Sequence, residues 1–113
     1  MADKYDLYDE AVDLVAEGKV DDAVARYREA IALDAEFADG WQGLALALNQ
    51  LERHPEAIEA AKRLCELTPD DVLAHTTLSR IYQAAGMVPE AEAAGAQARI
   101  LDWKRQLAED KGG

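Results

Sequence analysis

Residues 38–71 read ADGWQGLALALNQLERHPEAIEAAKRLCELTPDD, and this stretch decides the fold of the chain. One side of its first half carries large residues around a small one, namely Trp41, Leu44, Ala45 and Leu48. Such spacing is typical of a helix face that packs against a core. Pro55 suits the first turn of a second helix, where a missing N–H costs nothing, and Pro69 disfavours helix at the residue before it. The stretch therefore predicts two helices joined by a short turn.

The same kinds of residue recur at a period of 34 in the rest of the chain. The recurring positions are Leu7, Trp41 and His75; Ala11, Ala45 and Ser79; Leu14, Leu48 and Tyr82; and Ala23, Ala57 and Ala91. Large residues at these positions form one helical stripe, and small ones let a second helix approach closely. Gly18 and Gly86 stand where the first helix of a pair must turn into the second, because glycine takes the positive φ of such a turn.

This pattern resembles that of the tetratricopeptide repeat (TPR) family, in which W-x2-L-G-x2-Y is followed by A-x3-F and a closing proline. The resemblance implies an all-α, right-handed α-solenoid of three helix-turn-helix pairs, because a single pair cannot bury its apolar face. We expect one domain over residues 1–113, with repeats at 4–37, 38–71 and 72–103 and a helical extension at 104–110. The expected helices are at about 4–16, 20–33, 38–51, 55–67, 71–84 and 89–109.

The charge of the chain is strongly acidic and unevenly distributed. The formal net charge is −11, of which −8 falls within residues 1–39 and −3 within residues 40–113. Nucleic acids and anionic lipids are bound by neutralising phosphates with Lys and Arg, so this charge argues against both as partners. It favours encounter with a basic partner protein, although acids on outward faces also simply keep a small protein soluble.

No combination of residues predicts catalysis, a metal site or a cofactor. Cys65 is the single cysteine, and its spacing from His54 and His75 matches no zinc motif. We interpret Cys65 as a small buried thiol and His75 as a half-buried core residue, because His75 occupies the position of Trp41. The start of the sequence resembles no signal peptide and no apolar run is long enough for a membrane span, so we expect a cytoplasmic protein.

The resemblance also implies a concave groove lined by the first helix of each pair. The positions that face this groove in the family are occupied here by Tyr5, Tyr8, Val12, Gln42, Leu46, Asn49, Leu73, Thr76, Arg80 and Gln83. Solvent-facing helix positions without a partner are ordinarily charged. Apolar and uncharged residues at these positions therefore predict a surface that binds a peptide or helix of another protein, unless the apolar side chains cover one another in a narrow array.

One well-known activity of the family is the capture of chaperone carboxyl termini by a clamp of lysines, asparagines and an arginine. The clamp positions hold Tyr8 and Leu73 for the lysines, Val12 and Gly43 for the asparagines, and Thr77 for the arginine. A carboxylate buried without a cation is strongly destabilised. We therefore expect no binding of such tails.

The stretch RILDWKRQLAEDKGG at 99–113 departs from the repeat pattern. Trp103 stands where the family has its closing proline, and no helix breaker precedes Gly112. A long last helix is predicted, with an apolar stripe of Ile100, Trp103 and Leu107. We favour a stripe that folds back on the array as its cap; the alternative is an exposed edge for self-association.

These patterns together predict a non-catalytic protein-protein interaction module that binds a partner in its groove. Two alternatives remain open at this stage. The first is a small acidic assembly or secretion chaperone that shields an apolar client segment. The second is a structural homo-oligomer in which the terminal helix of one copy occupies the groove or edge of the next.

Overall fold

The computed structural model describes residues 2–112, so Met1 and Gly113 of the expected domain lie outside the described residues. This part of the chain forms six α-helices and no strand. The helices are α1 (Lys4–Ala16), α2 (Val20–Leu33), α3 (Ala38–Gln50), α4 (His54–Leu67), α5 (Val72–Ala84) and α6 (Val88–Gly112). The predicted ends of α1 and α2 are correct, and those of the other helices differ by at most three residues.

The turn inside each helix pair closes in the same way in all three repeats. The N–H groups of Lys19, Arg53 and Met87 donate to the carbonyls of Leu14, Leu48 and Tyr82, respectively. This bond needs one residue of positive φ just after the helix. Gly18 (81°) and Gly86 (78°) supply it as predicted, but Glu52 (61°) takes that conformation in the middle repeat. A residue with a Cβ in this region costs on the order of 1 kcal/mol, so the middle turn is strained.

Side-chain caps set the starts of two first helices. Asp3 and Asp6 form a reciprocal capping box at the start of α1, in which each carboxylate accepts the other residue's N–H. At α5, the Asp71 carboxylate accepts the N–H of Leu73 at 3.0 Å. Asp71 is therefore the cap and not the first helical residue, which is why α5 begins at Val72.

The core depends on small residues where helices cross. Ala11, Ala23, Ala45 and Ala57 are fully buried in one cluster that runs through the first two repeats and reaches Ile81. Alanine leaves room for two helix backbones to approach each other. A second, smaller cluster is formed by Tyr82, Ala91 and Ala94 between α5 and α6.

The helices stack so that first and second helices form different layers. Each helix packs on the next one along the chain, and in addition α1 contacts α3 and α3 contacts α5. Within the described residues, α2 and α4 make no comparable contact, and neither do α4 and α6. Because the first helices lie closer together than the second helices, the layer of α1, α3 and α5 forms the inner, concave side of the array.

The last helix pair carries charged residues at two positions that are apolar in the first pair. Val24 and Ile31 of α2 pack in the core, and the residues 68 positions later are Glu92 and Arg99. On α6 these two charged residues line a hollow of about 240 Å³ with the side chains of α5. The face of α6 onto which a further helix pair would stack therefore carries charge.

Candidate functional site

The structure places all ten predicted groove residues on α1, α3 and α5. Three apolar ones, one on each helix, are substantially exposed: Val12 is 43%, Leu46 39% and Leu73 57% accessible. Val12 and Leu46 are equivalent positions of successive repeats, and the third equivalent is the exposed cation Arg80. The concave layer thus combines apolar side chains on every first helix with a polar end on α5.

The amino-terminal end of the groove is aromatic. The Tyr8 ring makes edge-on contacts with Tyr27 and Phe37, with ring centroids 5.8 Å apart in both pairs. Tyr5 packs edge-on against Phe37 at 5.5 Å and remains exposed. Tyr8 therefore belongs partly to the core, and Tyr5 is the aromatic side chain that is available at the surface.

Acidic residues border this aromatic end. Burial raises the pKa of the Tyr8 hydroxyl, and the negative charges of Asp39 and Asp9 raise it further. Both carboxylates belong to exposed residues. The local field at this end of the groove is therefore negative, in line with the charge of residues 1–39.

A second apolar feature beside Tyr5 was missed by sequence reasoning. Leu33 is exposed and lines an open hollow of about 600 Å³ together with Tyr5, Lys4 and Asp34. Lys4 forms an ion pair with Asp34, and this contact holds the pKa of the Asp34 carboxyl below its ordinary value. The repeat alignment contains the signal, because Leu33 is equivalent to Leu67 and Leu101, which are half-buried; only the three-dimensional packing shows that Leu33 is uncovered.

The amide side chains of α3 were expected to face the groove, but they are bound or partly buried within the chain itself. Gln42 donates from Nε2 to the hydroxyl oxygen of Thr77 at 3.0 Å, so it ties α3 to α5. The side-chain oxygens of Gln42 and Asn49 are buried and have no hydrogen-bond partner. Of the three amides among the predicted groove residues, only Gln83 is exposed.

Trp41 and His75 occupy equivalent places and make equivalent bonds. Trp41 donates from Nε1 to the carbonyl of Ala35 at 2.8 Å, and His75 Nε2 lies 2.8 Å from the carbonyl of Pro69. Both residues are half-buried. The interpretation of His75 as half-buried is therefore confirmed. Cys65, expected to be buried, is only half-buried, and burial raises the pKa of its thiol.

The expected cap at the carboxyl terminus is wrong. The last helix is long, as predicted, but Ile100, Trp103 and Leu107 are 44%, 60% and 40% exposed. The residues of α6 that pack toward α5 are instead Ala91, Ala94 and Ala98. The apolar stripe faces outward because the small alanine side occupies the interface, and a rigid helix cannot present both sides to one neighbour.

The described part of the chain contains neither a metal-binding cluster nor a membrane-spanning helix. Among residues 2–112, no three histidine, cysteine, aspartate or glutamate side chains are grouped so that they could hold a metal ion. None of the helices described has both the length and the hydropathy needed to cross a bilayer.

Comparison with solved structures shows the fold. The chain is similar to the crystal structure of MamA, with a TM-score of 0.87 and 22% identity, and the match covers 92% of this chain and 61% of that one. This chain therefore spans about three fifths of the MamA chain. It is also similar to the Yersinia enterocolitica type III secretion translocator chaperone SycD (TM-score 0.81, 18% identity, 96% of this chain and 86% of that one).

A third similar structure is the second TPR domain of Spaghetti (RPAP3), bound to the HSP90 peptide SRMEEVD. Its TM-score is 0.80 at 20% identity, and the match covers 87% of this chain and 91% of that one. A search of curated protein sequences gives no significant match. In the comparison with protein families, the tetratricopeptide repeat model matches residues 8–72, which is more than half of the chain. The chain therefore belongs to the tetratricopeptide repeat family, a family of protein-interaction modules.

Proposed function

We propose that the concave layer of α1, α3 and α5 binds a helix or extended segment of a partner protein. The observation that carries this proposal is the exposure of Val12, Leu46 and Leu73 on that layer. Apolar side chains at solvent-facing helix positions contribute little to a fold that leaves them uncovered. They would serve as anchors for a partner bound in the groove, and Arg80 and Gln83 would set the register of that partner.

The charge beside the groove favours a basic partner. Asp9 and Asp39 lie close enough to Tyr8 to raise its pKa, and both are exposed. Cations placed near the apolar anchors of a partner would meet these carboxylates. Electrostatic complementarity of this kind speeds association and rejects acidic competitors.

The test is affinity purification from the native cell with a groove variant. The variant carries Val12→Glu and Leu46→Glu, which place two charges among the proposed anchors. We expect one protein to be retained by the wild type and lost from this variant. The matched control carries Ala25→Glu and Ala32→Glu, which add the same charge at exposed positions of α2. Circular dichroism verifies that all three proteins are folded.

The control determines how the result is interpreted. Retention by the wild type and the α2 control, but not by the groove variant, supports the concave layer as the binding site. If all three retain the same proteins, the groove is not the site and the proposal fails.

A separate prediction concerns acidic carboxyl-terminal peptides. The peptide SRMEEVD, seen on the TPR domain of RPAP3, is expected not to bind this chain at micromolar concentration. The positions of the family's clamp hold no cation, and Thr77 is 1% exposed and accepts the hydrogen bond of Gln42. Isothermal titration calorimetry with the RPAP3 domain as positive control measures this, and a micromolar dissociation constant for our chain would contradict it.

A further inference from the structure

The apolar stripe of α6 is an exposed surface that has no partner within residues 2–112. Ile100, Trp103 and Leu107 lie on the side of the helix roughly 180° away from the alanines that pack on α5. Because α6 is one continuous helix whose inner side is held by α5, the stripe cannot turn into the groove of the same chain. Among the described residues, nothing covers the stripe.

The stripe is too small to pair stably with a second stripe. It consists of three side chains, whereas a specific interface involves about 20 residues on each side. A concave counterpart would surround the helix and bury more of it. The same chain offers such a counterpart, the concave layer with exposed Val12, Leu46 and Leu73.

The charges of the two surfaces are complementary. The segment 99–107 around the stripe carries three cations, Arg99, Lys104 and Arg105, against one acid, Asp102, in a chain whose net charge is −11. The acids that border the groove are Asp9 and Asp39, whose negative charges reach Tyr8. The net charge of +2 on the stripe segment is thus opposite in sign to these two carboxylates.

The spacing of the anchors also fits. Ile100 and Leu107 are seven residues apart, about 10 Å along a helix. Neighbouring packed helices lie about 8–10 Å apart, and in the concave layer α1 contacts α3 and α3 contacts α5. A helix laid across the groove would therefore place Ile100 and Leu107 over two adjacent first helices, with Trp103 between them.

We propose that the terminal helix of one copy docks in the concave groove of a second copy, with Ile100, Trp103 and Leu107 as its apolar anchors. This inference rests on the proposed function of the groove and names one occupant of it. Each copy has one stripe and one groove, so the contact joins different surfaces, and chains of copies can grow or close into rings.

The test uses two complementary variants of the full chain. Trp103→Glu places a charge in the apolar stripe, and Val12→Glu with Leu46→Glu places two charges in the groove. The masses of each variant and of their equimolar mixture are measured by analytical ultracentrifugation from micromolar to millimolar concentration. Trp103 lies on the exposed part of α6, so folding is expected to be unaffected, and circular dichroism verifies this for both.

We expect the wild-type mass to rise with concentration and each variant alone to stay at one chain, with a dissociation constant weakened about 100-fold or more. The mixture is expected to recover a mass of two chains, because the intact stripe of one variant meets the intact groove of the other. Ala108→Glu, which adds the same charge to α6 beside the stripe, is expected to associate like the wild type.

Three outcomes would overturn the inference. They are a wild-type mass of one chain at every concentration, association of the groove variant as strong as that of the wild type, or a mixture that stays at one chain. A groove-dependent partner in the affinity purification would still support the proposed function in each case, so failure of the inference is distinguishable from failure of the function.

Discussion

Replacing Leu48 with alanine is expected to lower the free energy of unfolding by about 2–5 kcal/mol. Leu48 is 1% exposed and lies in the cluster that joins the first two repeats to Ile81. The loss consists of the transfer free energy of the removed methyl groups and of a cavity that close-packed helices cannot refill. Thermal unfolding followed by circular dichroism would show a midpoint lowered by on the order of 10–20 °C.

Leu46→Ala is the matched control, because it makes the same substitution on the opposite side of the same helix. Leu46 is exposed in the groove, and we expect its replacement to change the free energy of unfolding by about 0.5 kcal/mol or less. The contrast separates a leucine that holds the fold from one that the fold leaves uncovered. Equal losses would place Leu46 in the core and would remove the main support for the groove as a binding surface.

Gly43→Ala is expected to destabilise the protein by about 1–3 kcal/mol, although alanine is the better helix former. A Cβ at position 43 would lie 2.3 Å from Cε1 and 2.5 Å from Cζ of Tyr27. The Tyr27 ring is buried and packs edge-on against Tyr8, so it cannot move aside. Urea denaturation would measure the loss of free energy of unfolding.

The effect of Gly43→Ala on the free energy of unfolding is expected to change sign when Tyr27 is also replaced. Tyr27→Leu removes the ring atoms that the new methyl group would meet, at some cost of its own. Adding Gly43→Ala to Tyr27→Leu is then expected to be neutral or stabilising, by up to about 1 kcal/mol from helix propensity. A double-mutant cycle measures this coupling; additive losses would show that Gly43 is required for a reason other than the Tyr27 ring.

The sequence predicts the helices well because local signals and the repeat agree. Pro55 and Pro89 lie in the first turns of α4 and α6, as expected, and Asp71 caps α5. The period of 34 sets the pairing, since equivalent residues must make equivalent contacts when helix pairs stack. Glu52 is the exception. Its position in the repeat predicts a residue of positive φ, but glutamate is not a residue type that favours this conformation.

The site was less predictable because periodicity shows which residues share a helix side, not what that side meets. Ile100, Trp103 and Leu107 have the spacing of a buried face, but the alanines on the other side of α6 occupy the interface with α5. Gln42 was expected to face a partner, and no sequence signal shows that Thr77 accepts its hydrogen bond. Both cases depend on neighbours from another repeat.

The charged outer face of α6 limits how the array can grow. Stacking a fourth helix pair on α6 would bury Glu92 and Arg99 at the places that Val24 and Ile31 hold between the first and second pairs. Burying charge without compensation costs several kcal/mol, so lengthening the solenoid by end-to-end addition is disfavoured. Glu92 and Arg99 thus disfavour the addition of further repeats at this end. Contacts between copies are expected to form elsewhere than at the end of the stack.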